Sequence, residues 1–490
     1  MKLTTRRTFA GVTAVVCLAA AACTDQTADP APTEPGTAAP TAAPATTAAP
    51  ADTEPGEPTA TTAPTGTEPG KPTATTEPAA PDTVPVNAGL AANNTSSDST
   101  TGITDDTIKV AFLGVDFSAL SGTGLVPELG DQQKQVESFV AEINENGGIG
   151  GRQIELHFHM FSVLEGGADT IQAACIGATQ EFQAAVVILP PAAARDLTRC
   201  TAVTNQTLTM YATGMDDPLY AEAQGRLFTP GNLTIDRQYR AWATALDEAG
   251  VLEGTTIGIV SSSTAAEFLY GVEEVLVPTL EELGHAPAEV IAIPCEGTSC
   301  QQYDVAAQRM KDAGVDLVFQ NIPNNVGVGL VQASADIDFA PQWVALGNQA
   351  TDTVSNFYAA VAEHWDGMIG LGFSFNQPDD LTPTSAECNA VVTERSGEFY
   401  EPGTDAYGFT ANICNMFLVV DRAADSVEGS LTQGSLIAAI QGLGTFEGFV
   451  SQLTLSPTKH DGLDEMFWCD YTAEAGVCVR RDGPRVVIPD

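Results

Sequence analysis

The stretch Ala141-Glu-Ile-Asn-Glu-Asn-Gly-Gly-Ile-Gly-Gly-Arg-Gln-Ile-Glu-Leu156 is a helix end, a glycine stop and a strand start in sixteen residues. Upstream, Val136, Phe139, Val140 and Ile143 fall at helical spacing and define one apolar stripe. Asn146 and Gly147 suit a left-handed helix stop, where a short or missing side chain is cheap. Ile154 and Leu156 alternate with polar neighbours and read as a strand. Residues 108–113 form a short apolar run, expected as a buried strand. Strand, helix and strand within about 50 residues make a parallel crossover unit.

The alternation continues outward. Residues 171–182 have a helical pattern, 184–189 read as a buried strand, 192–204 as a helix and 208–211 as a strand. Phe228-Thr-Pro-Gly231 reads as a crossover, after which a second series begins. Its strands are expected at 256–260, 290–293, 315–320 and 342–346, with helices around 272–280, 303–313 and 327–334 between them. Residues 367–375 are expected to return the chain to the first series, followed by helices at 406–424 and 436–443. The tail, 450–455 and 466–471, reads as a hairpin-rich cap. Two successive doubly wound units predict an α/β protein of two parallel-sheet lobes joined by a hinge of several crossovers. Lobe 1 is expected over 105–231 and 372–445, and lobe 2 over 232–371 and 446–490. Ligands of such sheets sit beyond the carboxyl ends of the strands, which here means a cleft between lobes.

The first 22 residues read as an export signal: Lys2, Arg6 and Arg7, then the small apolar run Phe9–Ala22. Cys23 follows Ala20-Ala21-Ala22 directly and is the expected lipidation site, which would anchor the chain to the outer face of the cytoplasmic membrane. Thr5-Arg6-Arg7-Thr8-Phe9 also suits twin-arginine export, so either route is open. From residue 24 to about 104 the chain is rich in Ala, Pro, Thr and Glu, with the near-repeats Pro-Gly-Glu-Pro-Thr-Ala-Thr-Thr (55–62) and Pro-Gly-Lys-Pro-Thr-Ala-Thr-Thr (69–76). It reads as a tether with a reach on the order of 200 Å.

The formal net charge is −43, and −46 without the signal's three cations. Nucleic-acid binding wants a basic face, so it is excluded. No Gly-x-x-x-x-Gly-Lys loop supports nucleotide hydrolysis, and no Gly-x-Ser-x-Gly elbow supports a serine hydrolase. Setting aside Cys17 and Cys23, eight cysteines remain: Cys175, Cys200, Cys295, Cys300, Cys388, Cys414, Cys469 and Cys478. An even number outside the cytoplasm implies disulfides. Nearest-neighbour pairing is attractive because each bridge then closes a short loop, but other pairings stay open. Zinc binding lacks the paired Cys-x-x-Cys or histidine spacing it needs. His157 and His159 alternate on a strand, an arrangement that can bind metal but more often marks a partly polar strand face.

Ile108-Lys-Val-Ala111, Gly130-Asp-Gln132 and the 141–156 stretch together resemble the extracytoplasmic solute-binding proteins of branched-chain amino acid importers, the type I periplasmic binding proteins. Tyr270-Gly271, Ala313-Gly-Val-Asp-Leu-Val-Phe319 and Tyr407-Gly-Phe-Thr-Ala411 are weaker echoes of the same family. The resemblance implies that backbone N–H groups and small hydroxyls of the first lobe hold a ligand carboxylate. The positions are Ser118, Ser121 and Thr123 after the first strand, Ala192 after the third, and Ala212 and Thr213 after the fourth. From the second lobe it implies Tyr270 as an aromatic wall, with Ser262, Asn321, Asn324 and Asn348 as polar partners. Three departures stand out. Pro190-Pro191-Ala192-Ala193 lacks the family's hydroxyls, Leu129 replaces a frequent aromatic, and Leu346-Gly347-Asn348 carries no acid for a ligand ammonium. The implied function is capture of a small organic solute, an amino acid, amide or carboxylate, by a lipid-anchored monomer that delivers it to an ABC permease. No cofactor and no catalysis are expected. A ligand sensor of the same fold and an extracytoplasmic hydrolase are the alternatives.

Overall fold

The computed structural model describes residues 99–120, 126–162, 167–191, 195–296, 299–322, 324–346, 356–372, 382–449, 451–483 and 485–489. The first sheet grows from the expected unit. Strand β1 (Thr107–Asp116) leads to helix α1 (Gln132–Glu145) and strand β2 (Gln153–Ser162). Asp131 caps α1 by accepting from the Lys134 N–H at 3.0 Å, and Val136, Phe139, Val140 and Ile143 are buried. The helix stop differs in detail from the sequence reading. Asn146 stays near the right-handed region (φ −84°), and the chain turns through Gly147 (φ +110°) and Gly148 (φ +79°). A Cβ on Gly148 would lie 1.9 Å from the Arg152 carbonyl oxygen, so the return into β2 requires glycine there.

Helix α2 (Ala168–Ile176), β3 (Val186–Leu189), α3 (Arg195–Thr198), β4 (Leu208–Tyr211), α4 (Asp217–Ala223) and β5 (Leu227–Phe228) complete the first series. The sheet order is β2-β1-β3-β4-β5, and every pairing is parallel. The second series comprises α5 (Ile235–Glu248), β6 (Ile257–Ser262), α6 (Ala266–Tyr270), α7 (Val277–Glu282), β7 (Glu289–Ile293) and the small hairpin β8 (Cys295–Glu296) and β9 (Ser299–Cys300). It continues with α8 (Tyr303–Asp312), β10 (Leu317–Asn321), α9 (Asn324–Asp336), β11 (Gln342–Leu346), α10 (Ala362–Trp365) and β12 (Ile369–Gly372). Its strands run β7-β6-β10-β11-β12, again parallel, the same winding as in the first sheet. In each sheet the order reverses beside the opening strand, which puts a ligand crevice at the carboxyl ends there.

Two stretches differ from expectation. Residues 367–375 do not simply return the chain: Ile369–Gly372 is the fifth parallel strand of the second sheet, so any return starts beyond Gly372. Helices α11 (Pro383–Ser396), α12 (Asp405–Asp425) and α13 (Gln433–Gln441) then bury Val391, Phe409, Phe417 and Leu436 in the core beneath the first sheet. The tail is not a cap. Hairpin β13 (Gly444–Glu447) and β14 (Gln452–Leu455) is followed by β15 (Glu465–Thr472) and β16 (Val477–Arg480), which extend the second sheet antiparallel from β12. A short strand, β17 (Val486–Val487), pairs with β15. Helices α4, α5, α6, α10 and α11 have no counterpart in the sequence reading. Four disulfides join Cys175 to Cys200, Cys295 to Cys300, Cys388 to Cys414 and Cys469 to Cys478, the nearest-neighbour set.

Both sheets belong to one compact unit, and two segments tie them together. The Thr229 N–H donates to the His460 carbonyl at 2.9 Å, and the Gly462 N–H to the Thr229 carbonyl at 2.9 Å. A Cβ on Gly462 would lie 1.8 Å from the Pro230 carbonyl oxygen, so the strands can touch only at glycine. Around this crossing sits a buried ionic cluster. The Asp461 carboxylate accepts from Arg237 Nη1 (2.7 Å) and the Thr234 N–H (2.8 Å), while Lys459 Nζ lies 3.1 Å from Asp464. Leu455 and Leu453 of β14 are buried in the cores of the first and second sheets respectively. Among the described residues, no helix is long and apolar enough to cross a membrane.

Candidate functional site

The carboxyl ends of β4 and β6 bring the two lobes' polar loops toward each other. On the first side, the Ala212 N–H continues the sheet by donating to the Leu189 carbonyl at 3.0 Å, and Ala212 is buried. Thr213 bonds through its side chain to the Tyr211 hydroxyl. Asp216 caps α4 from the Leu219 N–H at 3.0 Å and takes Arg195 in a two-pronged grip, at 2.9 Å from Nε and 2.8 Å from Nη2. That grip ties the segment after β3 to the one after β4. Ser118 is exposed, and its N–H donates to the Asp116 carboxylate at 2.8 Å.

On the second side, Ser262 is buried and its Oγ accepts from the Thr264 and Ala265 N–H groups at 3.4 and 3.3 Å, holding the turn into α6. Asn321 is also buried. Its amide donates to Ser261 Oγ (3.2 Å) and the Phe268 carbonyl (3.1 Å), and its oxygen accepts from the Tyr239 hydroxyl at 2.5 Å. Both amide protons are therefore spent, one on β6 and one on α6, and tie those elements to β10. Asn324 opens α9. Ser121, Thr123, Ala192 and Asn348 lie outside the described residues.

Tyr270 ends α6 half-buried, and its hydroxyl donates to Asp236 Oδ1 at 2.8 Å. The other oxygen of Asp236 accepts from the Asp217 N–H at 2.9 Å, so one carboxylate joins the start of α4 to the start of α5. Burial raises the Asp236 carboxyl above its ordinary range. Asp217 is pushed up to about 7, first by burial and then by the Asp236 and Asp461 charges. Burial, then Asp236, raises the Tyr270 hydroxyl as well.

A further acid was not evident in sequence. Glu267 lies in the first turn of α6, half-buried, and its carboxylate has no hydrogen bond or ion pair to any described residue. Its charge reaches Tyr211 at the end of β4 and Tyr239 on α5. Both hydroxyls are raised by burial first and by Glu267 in smaller measure. The resemblance implies an ammonium partner after β11, where Leu346-Gly347-Asn348 carries no acid. Here three acids stand elsewhere: Asp217 at the start of α4 after β4, Asp236 at the start of α5 after β5, and Glu267 in α6 after β6. Nothing in the sequence singles them out: Asp217 and Glu267 lie a few residues beyond expected strands, a common place for an acid, and Asp236 opens a helix the pattern did not predict. Among the described residues no three or more His, Cys, Asp or Glu side chains form a metal-holding group.

A family model described as periplasmic binding protein matches residues 107–472. A search of curated proteins finds no match. Among solved structures, a leucine-, isoleucine-, valine-, threonine- and alanine-binding protein from Brucella ovis, in its closed conformation, is similar with a TM-score of 0.61. It is 14% identical, over 79% of this chain and 97% of its own. A solute-binding protein of an ABC transporter from Rhodopseudomonas palustris, in complex with 4-hydroxybenzoate, gives 0.59 at 13% identity over 79% and 98%. The branched-chain amino acid transporter substrate-binding protein of Streptococcus pneumoniae, in complex with isoleucine, gives 0.56 at 17% identity over 77% and 100%. With the model spanning most of the chain and two like-wound sheets facing a polar crevice, this chain belongs to the periplasmic binding protein family, type I.

Proposed function

We propose that this protein captures a small organic solute bearing an amino group in the crevice between its lobes and passes it to an ABC permease. Lipid on Cys23 and the 23–104 tether would hold it outside the cytoplasmic membrane. The observation that carries the ligand class is Glu267, a half-buried carboxylate with no partner among the described residues, whose charge acts on both Tyr211 at the end of β4 and Tyr239 on α5. An ammonium closed into a cleft needs such an anion, because an unpaired buried charge costs several kcal/mol. Tyr270, its tip fixed on Asp236, supports a rigid apolar wall beside it. The exposed Ser118 and the Ala212–Thr213 segment are the proposed carboxylate side, with Ser121, Thr123, Ala192, Asn324 and Asn348 as further proposed contacts. Ser262 and Asn321 are proposed to act by positioning. Closure follows from the solute's greater affinity for the form in which both lobes touch it, and the permease would recognise that form.

Thermal unfolding against amino acids, amines, amides and aromatic carboxylates tests this. A ligand at about 100 times its dissociation constant adds about 2.7 kcal/mol, a visible shift. An amino-bearing solute is expected to raise the midpoint. Glu267→Gln is expected to weaken its binding by about 2–3 kcal/mol, the low end for one partner of a desolvated ion pair. A shift only with solutes that lack an amino group would sink the ligand class. Turnover of the bound solute would sink the receptor reading in favour of an enzyme.

A further inference from the structure

His157 and His159 lie in the middle of β2, the edge strand of the first sheet, away from the crevice between the lobes. The strand's period of two puts Glu155, His157 and His159 on one face. The two imidazole rings are half-buried and nearly parallel, 6° apart, with centroids 6.1 Å from each other. Neither ring has a hydrogen-bond partner among the described residues, although half-buried imidazoles ordinarily find one. Phe182 closes the site from one side, its ring 5.1 Å from that of His157. Glu181, the residue before it, is close enough for its charge to act on His157. Lys109 is the neighbouring cation. It stands opposite Glu155 on β1, and its Nζ is held by the Phe182 carbonyl at 3.1 Å, over that ring.

We propose that His157 and His159 together chelate a divalent transition-metal ion of imidazole preference, such as Cu2+ or Zn2+, on the edge of the first lobe. Two imidazoles at i and i+2 of a strand leave the same side of the backbone, so both can reach one ion at about 2.0–2.1 Å. The rings must turn toward each other about their last torsion, a soft and broadly populated rotation. Water completes the coordination, since no third ligand is preformed among the described residues, and Glu181 or Glu155 can swing in as a carboxylate. The −43 charge concentrates divalent cations near the surface.

The test is calorimetric titration of the full chain, stripped with a chelator, with CuSO4 and separately with ZnCl2. One-to-one uptake is expected. His157→Ala and His159→Ala should each weaken it by at least the ~10–100-fold that loss of even an outer partner of a ligand causes. His285→Ala is the control, because that ring is already paired with Asp247 at 2.7 Å elsewhere on the molecule. His157→Gln, a milder change, should also weaken uptake while leaving the unfolding midpoint of the metal-free chain unchanged. Absence of one-to-one uptake, or uptake that survives in all three strand variants, would overturn the proposal and assign any binding to the acidic surface.

Discussion

Asp461→Asn probes the crossing that joins the lobes. The Asp461 side chain is 1% exposed, and its two oxygens accept from Arg237 Nη1 and the Thr234 N–H. Lys459, 3% exposed, and Asp464, 29% exposed, complete the cluster, and Arg237 itself is 14% exposed. Two cations and two carboxylates are thus balanced in a largely dry place. An asparagine keeps one acceptor but turns an amide donor toward a second donor, and leaves two cations to one partly exposed acid. Breaking a buried pair typically costs about 3–5 kcal/mol. Because Asp464 remains, the low end applies, about 3 kcal/mol. In a cooperative unit of about 150–250 residues, that lowers the unfolding midpoint by about 6–12 °C. Urea unfolding followed by circular dichroism would measure it as an earlier midpoint at unchanged slope. A loss below about 1 kcal/mol would refute the reasoning, since it would mean that water screens the cluster as it screens surface pairs.

The raised Asp217 carboxyl makes the folded chain bind a proton that the unfolded chain has released, so stability from this group falls as pH rises from about 3.8 to about 7 and is flat above. Asp217→Asn should flatten that part of a midpoint-against-pH curve, and parallel curves for the two proteins would contradict it. Gly148→Ala should cost about 2–4 kcal/mol, since strain at positive φ and a backbone clash add up. Gly147→Ala, with nothing within 4 Å of its Cβ, should cost less, and equal losses would discount the clash. Replacing Cys388 and Cys414 together by serine should cost about 2–4 kcal/mol, and peptide mapping without reduction should recover the four nearest-neighbour pairs. Tyr270→Ala should weaken solute binding by about 1–3 kcal/mol, and unchanged affinity would remove Tyr270 from the site.

What the sequence by itself determined is the local grammar of the fold. Ile108, Val136, Phe139, Ile143 and Ile154 declare strand, helix and strand because burying one face needs apolar residues at the period of the element, and that period is written in the chain. The same rule found the long helix near 406–424, which forms as Asp405–Asp425, and chain-local loop closure made the nearest-neighbour disulfides attractive. Tertiary structure decided what depends on distant partners. Residues 369–372 could have served either lobe, and pairing with Val344 and with Cys469 settles them in the second sheet. The tail alternates in either role, and only the open edge of β12 turns it into sheet rather than cap. The crevice acids were in plain view as letters, but Asp217, Asp236 and Glu267 are fifty residues apart at the extremes and on different lobes. Whether a carboxylate is paired, as Asp216 is by Arg195, or has no partner among the described residues, as Glu267, depends on what the fold brings beside it. Periodicity is a property of neighbours along the chain, whereas charge balance is a property of neighbours in space.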